Sequence, residues 1–227
     1  MLTVHHLENS RSHRIVWLLE ELGAQYEIKR YGRDKQTGLA PQELLEVHPL
    51  GKAPVITDGD ITIAESGAII EYLVYEYDDG RLRPDEGTPE RRAYTYWLHY
   101  AEGTFASLML LSLVMGRIED AAMPFFLKPV AKGIAGKVRG NYLDPNIKRN
   151  LEFMEWTLGK SKWFCGDRFT AADVQMSFAL EAAEVRTDLS PSYPNLADFL
   201  EAIRSRPAYK KALDKGGHYE LMSISKR

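Results

Sequence analysis

Gly51-Lys52-Ala53-Pro54-Val55 sets a proline at the mouth of a short extended run. Proline cannot donate to a sheet ladder, so at a strand start it marks an edge or a special turn. The bond before it adopts the cis form at modest cost. A cis Ala53–Pro54 bond would turn the backbone N–H and C=O of Val55 outward, where an extended peptide pairs with them in β-fashion. An ordinary proline at a strand start explains the same residues without a ligand. Ala64-Glu65-Ser66-Gly67-Ala68 follows, directly before an apolar helical run. Ser66 suits a helix N-cap, and the free N–H groups of a helix start attract carboxylates. Glu65 beside it is a receiver for an ammonium group. Together they match the two charges of an amino-acid head group, although a plain cap with a solvated glutamate uses the same residues.

Two further segments complete the set. Asn9-Ser10-Arg11-Ser12-His13-Arg14 leads from a strand into a helix, so its hydroxyls lie at the positive end of the helix dipole. Simple capping is the alternative, with Ser12 the better cap and Ser10 a turn residue. Phe169-Thr170-Ala171-Ala172-Asp173 reads as a capping box with a hydrophobic staple, Asp standing where Glu or Gln is usual. Its role is folding rather than catalysis.

The elements that must position these segments divide the chain in two. Leu2–Leu7 reads as a strand, and Ile15, Leu18, Leu19 and Leu22 recur at helical spacing before a Gly23 stop. Tyr26–Tyr31 alternates as a second strand, and Pro41–Val47 is a short helix starting at proline. Val55–Thr57 and Ile61–Ile63 flank Asp58-Gly59, a hairpin signal, and a helix over Ser66–Tyr77 buries Ile69, Ile70, Leu73 and Val74. The order is βαβαββα. A polar linker, Asp78 to Gly87, then separates residues 1–80 from residues 88–227. The second part is helical throughout, with Trp97, Tyr100, Phe105 and Leu108 on one helix and Leu151, Met154 and Leu158 on another. The fold class is α/β followed by an all-α domain.

Composition excludes several function classes. With 29 basic and 32 acidic residues the net charge is -3, which disfavours nucleic acid as a partner. The one cysteine, Cys165, cannot form an intramolecular disulfide, a CxxC redox pair or a thiolate metal cluster, and it reads as a packing residue. The histidines lack metal-ligand spacing, and adjacent His5 and His6 on a strand face opposite ways. No metal is expected. The start lacks a signal-peptide pattern, and the greasy stretch Phe105–Met115 is too short to span a bilayer, so a cytoplasmic protein without a membrane partner is expected.

Taken in order, Asn9–Arg14, Pro49-Leu50-Gly51-Lys52-Ala53-Pro54-Val55, Glu65–Ile69 and Gly166-Asp167-Arg168-Phe169-Thr170-Ala171-Ala172-Asp173 resemble a cytosolic glutathione S-transferase, most of all the serine-type bacterial and fungal members. The resemblance runs from Leu2 to Leu213. It implies a thioredoxin-like domain that binds glutathione as co-substrate, a helical domain that supplies a pocket for a small hydrophobic electrophile, and a homodimer engaged in detoxification. Carried over by position, Val55 pairs with the cysteinyl backbone beside Pro54, while Ser66 and Glu65 hold the γ-glutamyl carboxylate and ammonium. Lys52 and His48 neutralise the glycyl carboxylate. Ser10 supports the thiolate, with Ser12 and Asn9 as alternatives, and Arg14 fits an arginine found early in the first helix. No tyrosine or cysteine stands at the end of the first strand, which disfavours the tyrosine-type and cysteine-type mechanisms.

The chemistry such a site requires can be sized. A thiol with a pKa of about 8.5 is only about 3% thiolate at pH 7. Lowering that pKa by about two units makes about three quarters of it thiolate and takes roughly 2.7 kcal/mol. One hydrogen bond to a charged acceptor supplies about 1.5–3 kcal/mol. A single serine hydroxyl suffices. Trp97, Tyr100, Phe105, Met109, Met115, Phe125 and Phe126 are candidate lining for the second pocket or else helix–helix core. Lys128, Lys132, Lys137 and Arg139 form a basic run that favours an anionic substrate or is a solvated face. Transfer to an electrophile is the leading reading. Glutathione-dependent peroxide or disulfide reduction is the second, and a non-catalytic binding protein of the same fold is the third.

Overall fold

The computed structural model describes residues 1–34, 37–186, 189 and 191–217. The chain begins β1 (Leu2–Leu7), α1 (Ser12–Leu22), β2 (Glu27–Tyr31), α2 (Glu43–Val47), β3 (Val55–Asp58), β4 (Ile61–Ala64) and α3 (Ser66–Tyr77). This is the expected βαβαββα order, in a thioredoxin-like arrangement. The sheet runs β2-β1-β3-β4, with β1 and β2 parallel and the other pairs antiparallel. The register sets Val4 beside Ile28 and Ile56, and Val4 and Ile56 are fully buried. Ile15, Leu18 and Leu19 of α1 and Ile69, Ile70 and Leu73 of α3 are buried in the same core. A strand buried along nearly its whole length and the buried stripe of α1 thus meet in one layer.

The rest is helical: α4 (Pro89–Tyr100), α5 (Ser107–Asp120), α6 (Lys128–Val138), α7 (Asp144–Leu158), α8 (Ala171–Arg186), α9 (Pro194–Ser205) and α10 (Pro207–Gly216). Thr88 caps α4 by accepting the Arg91 N–H at 3.1 Å, and Pro89 occupies the first turn. A π-helical segment over Ala101–Ala106 joins α4 to α5, so Pro89–Asp120 is one helix of 32 residues, long and apolar enough by composition to cross a membrane. Part of its apolar surface lies inside the protein, with Tyr94, Trp97 and Phe105 buried, while Leu110, Val114 and Ile118 are exposed. The interrupted stretch read as too short is therefore part of a longer core helix.

Two helices of the second part clamp α1. Trp17 of α1 lies between Phe169 and Tyr209, with ring centroids 5.8 and 5.1 Å away. Gly216 at the end of α10 approaches the rings of His6 and His13. The capping-box reading holds in part. The buried Asp173 carboxylate accepts the Thr170 N–H at 2.8 Å and the Phe164 N–H at 2.9 Å, while the Asp173 N–H goes to the Thr170 carbonyl rather than its hydroxyl. Burial pushes the Asp173 carboxyl up to about 6 despite these bonds. Cys165 is buried, and burial raises its thiol to about 12, which leaves it inert.

The α1–α10 contact makes the fold acid-sensitive. Burial, and then the neighbouring His6, lower His13 from 6.5 to about 4. Between these values the unfolded chain binds a proton that the folded one does not, so stability falls as the pH drops below 6.5 and levels off near 4. The full effect is ~3 kcal/mol. Asp173, raised to about 6, gives the opposite slope over much of this range, so the His13 share is read as a difference. In urea unfolding, His13→Phe, which keeps a ring against Tyr209, is expected to lose less stability between pH 6.5 and 4 than the unaltered protein does.

Candidate active site

A cleft of about 470 Å³ opens where the ends of β1 and the β3 approach face α5 and α8. Of the residues singled out in the sequence, Asn9, Ser10 and Lys52 line it, together with Ala53. Ser12, Arg14, His48, Pro54, Val55, Glu65 and Ser66 are outside its lining. The turn that presents Ser10 is built with care for its backbone. Asn9 adopts a left-handed φ of 50°, a conformation asparagine tolerates better than most residues. Arg33 braces that turn, donating to the carbonyls of Glu8 at 3.1 Å, Asn9 at 3.2 Å and Gly38 at 3.1 Å.

Behind Ser10 runs a buried chain of hydroxyls. Ser10 Oγ is 2.7 Å from Ser12 Oγ and accepts the Ser12 N–H at 3.2 Å. Ser12 Oγ is 2.9 Å from His6 Nδ1 and 3.2 Å from both the N–H and the carbonyl of Leu7. Ser12 is therefore not the expected cap. Arg11 stands at the N-cap position with helical backbone angles and makes no capping bond, while the Ser12 hydroxyl turns back onto β1. His5, on the other face, bonds Tyr31 Oη at 2.8 Å and Thr57 Oγ1 at 3.2 Å.

The Ala53–Pro54 bond is cis. Val55, however, does not sit at an open edge. It pairs with His5 of β1 on one side and Ala64 of β4 on the other, and it is fully buried. The expectation that Val55 offers its backbone to a ligand is corrected: β3 is an inner strand, and the residue that meets the cleft is Ala53, just before the ladder begins. Pro54 is buried behind it. Lys52 is exposed at the cleft. His48 closes α2, and its Nδ1 accepts the Leu50 N–H at 3.4 Å.

In the same first turn of α1 a charged cluster ties three further elements together. Arg14 is buried and donates to the Gln175 carbonyl at 2.6 Å, to Ser66 Oγ at 2.9 Å and to the Glu102 carboxylate. Arg11 pairs with the other Glu102 oxygen at 3.1 Å. Burial pushes Glu102 up, but Arg14 and Arg11 outweigh it and hold its carboxyl below the usual range. Glu102 belongs to the π-helical segment, which re-aims side chains on an otherwise regular helix. Ser66 is the first residue of α3 rather than its N-cap. The cap is Glu65, exposed and with a φ of 70°. The first turn of α3 thus points its N–H groups past Glu65.

The far wall of the cleft divides the aromatic and methionine set between the two alternatives. Trp97, Tyr100 and Phe105 are buried core, and the exposed Phe125 and Phe126 lie outside the lining, as does Met115. Met109 is the one residue of that group on the wall, joined by Ala106, Leu110, Leu113, Phe178 and Ala182. Lys128, Lys132 and Lys137 are exposed, and Arg139 pairs with Glu119 at 3.3 Å, so the basic run is a surface feature. The positive charge on the cleft comes from Arg11, Arg33, Lys52 and Arg186. His6, Arg33, Glu102 and Arg186 were missed. Only His6 carried a usable signal, since alternation along β1 places it opposite His5, on the side of Val4 and α1.

Known proteins resemble this chain along most of its length. Residues 1–75 match the family model "Glutathione S-transferase, N-terminal domain", and residues 118–207 match "Glutathione S-transferase, C-terminal domain". The chain is 34% identical to Glutathione S-transferase 3 of Schizosaccharomyces pombe, over 95% of this chain and 88% of that protein. It is 30% identical to Glutathione S-transferase 1 of Saccharomyces cerevisiae, over 95% of each. A crystal structure of a glutathione S-transferase from Actinobacillus pleuropneumoniae superposes with a TM-score of 0.79 at 36% identity, covering 100% of this chain and 98% of that one.

Proposed function

We propose that in this chain, which belongs to the glutathione S-transferase family, the Ser10 hydroxyl holds the glutathione sulfur as a thiolate for attack on an electrophile. The chain is a glutathione transferase; the division of labour among its residues is the proposal. The observation that carries it is the position of Ser10, on the cleft wall near Ala53 and at the start of α1. A hydroxyl and a helix N-terminus together supply the roughly 2.7 kcal/mol that thiolate formation takes.

The tripeptide fits the remaining groups in sequence. Its cysteinyl backbone pairs with Ala53, in place of the Val55 first expected, beside Pro54. Its glycyl carboxylate lies toward Lys52, with His48 at the margin. Its γ-glutamyl carboxylate meets the first turn of α3 at Ser66, and its ammonium meets Glu65. Arg14 positions Ser66 through its 2.9 Å bond. Ser12 and Asn9 hold Ser10 from either side. The chain acts as a homodimer, a reading supported by exposed rings on α3, α4 and α7: Tyr75 is 72% exposed, Tyr96 48% and Trp156 58%. The compartment is the cytoplasm.

The electrophile has an apolar body and an anionic or strongly polar oxygen substituent. Ala106, Met109, Leu110, Leu113 and Phe178 receive the body, and Arg33 and Arg186 receive the substituent. Burial first, and then Arg117 for Arg33 and Arg139 for Arg186, lower both guanidinium groups, while Glu8 pulls Arg33 the other way.

Ser10→Ala is expected to raise the pKa of bound glutathione and to slow transfer about 10²-fold, the usual cost of losing one donor to a developing anion. Thiolate absorbance against pH and steady-state rates measure both, and an unchanged rate moves the role to Ser12, Asn9 or a backbone N–H. Arg186→Gln is expected to cost a carboxylated aryl halide about 10-fold in kcat/KM while leaving its neutral analogue nearly unaffected. Equal losses for the two acceptors would remove the anion preference.

A further inference from the structure

The proton that leaves the glutathione thiol has two routes out: to water in the cleft, or inward through the hydroxyls behind Ser10. The inward route is built. Ser10 Oγ, Ser12 Oγ and His6 Nδ1 form an unbroken chain with links of 2.7 and 2.9 Å, and all three residues are buried. Only its outer end reaches the cleft. We propose that His6 is the proton acceptor for thiol ionisation, reached through Ser12 and Ser10. This rests on the reading of Ser10 as the group that touches sulfur, and it adds where the proton goes.

The direction of the chain follows from counting hydrogens. The Gly216 backbone at the end of α10 lies against the His6 ring and favours its charged form, as a carbonyl facing a ring N–H does. An alanine Cβ built at Gly216 would lie 3.7 Å from His6 Nε2, so Nε2 is the nitrogen on that side. A neutral ring with its hydrogen on Nε2 leaves a lone pair on Nδ1, facing Ser12. Ser12 then donates to Nδ1, Ser10 donates to Ser12, and the outer lone pairs of Ser10 accept the thiol S–H.

Ionisation reverses every link. The S–H bond breaks and its proton joins Ser10 Oγ. The former Ser10 hydrogen passes to Ser12 Oγ, and the former Ser12 hydrogen passes to His6 Nδ1. One proton has moved from sulfur to imidazole, no electron pair has left its atom's account except through these bonds, and both serines are intact. Ser12 now donates to Ser10 and Ser10 donates to the thiolate, which is the arrangement that stabilises it. After transfer, the same chain run backward returns the proton to water in the emptied cleft.

The charges around His6 suit an acceptor that rests neutral. Burial first, and Arg30 of β2 second, hold its ring below the ordinary histidine range, while the Gly216 contact and Glu8 at the end of β1 pull the other way. His13 of α1 is held neutral beside it. A thiolate at the outer end of the chain supplies the negative charge that lets the imidazolium form. His6 touches no substrate atom and acts as a positioning and proton-storing residue.

The test counts protons. Glutathione binding to the full-length protein is followed by thiolate absorbance and by calorimetry in buffers of different ionisation enthalpy. Internal transfer is expected to give well under one proton released to buffer per thiolate formed. His6→Asn, whose Oδ1 accepts from Ser12 but takes no proton, is expected to restore release of one proton per thiolate, and Ser12→Ala is expected to do the same by cutting the chain. One proton per thiolate in the unaltered protein overturns the relay, as does a low count that neither variant changes. If a variant fails to fold, the count on the unaltered protein still decides. Bound glutathione without any thiolate signal overturns the Ser10 reading itself, an outcome separable from failure of the relay because no thiolate is then available to count against.

Discussion

The hydroxyl of Ser12 fixes how the first strand hands over to the first helix. It lies within hydrogen-bonding reach of the Leu7 N–H and carbonyl, the His6 ring and the Ser10 hydroxyl. Four partners around one oxygen leave the β1–α1 junction few alternatives, and an unsatisfied buried hydroxyl costs about 1–3 kcal/mol. Asn9 accepts a left-handed backbone and Arg33 ties down three carbonyls so that this junction can close. Ser10 then has one open direction, the cleft.

The second constraint is mechanical coupling between the sheet and the helices. Arg14 reaches from α1 to Ser66 on α3, Gln175 on α8 and Glu102 in the π-helical segment. A buried guanidinium with these partners is costly to unpair, of the order of 3–5 kcal/mol when one charged partner is lost. Trp17, held between Phe169 and Tyr209, does the apolar half of the same work. The wall proposed for the tripeptide and the wall proposed for the electrophile are therefore tied together by buried contacts. Changes in α8 near Gln175 would be felt at Ser66 without touching the cleft.

The fold was readable because its signals are local. Alternation in β1, helical spacing in α1 and α3, and Asp58-Gly59 each report on neighbours in the chain. The cleft was readable in outline, since Ser10 and Lys52 line it and the Ala53–Pro54 bond is cis. What failed depended on strand order and packing. Val55 looked available because the Asp58-Gly59 hairpin accounts for β4 alone, and nothing local says that β1 pairs with the other side of β3. Trp97, Tyr100 and Phe105 stayed open between pocket wall and core, because an apolar helix face does not say which cavity it meets; they are core. Glu102 stood off the apolar face, and only a π-helical turn brings it to Arg11 and Arg14. Arg33 and Arg186 lie in no periodic pattern at all.

The central claim is that sulfur rests on the Ser10 hydroxyl with the tripeptide backbone alongside Ala53. A crystal structure of the protein soaked with glutathione measures this directly. The expected result is sulfur within hydrogen-bonding distance of Ser10 Oγ and the cysteinyl amide and carbonyl paired with Ala53. Sulfur lodged against Asn9 or Arg33, with the Ser10 hydroxyl still turned inward to Ser12 and out of its reach, would contradict it.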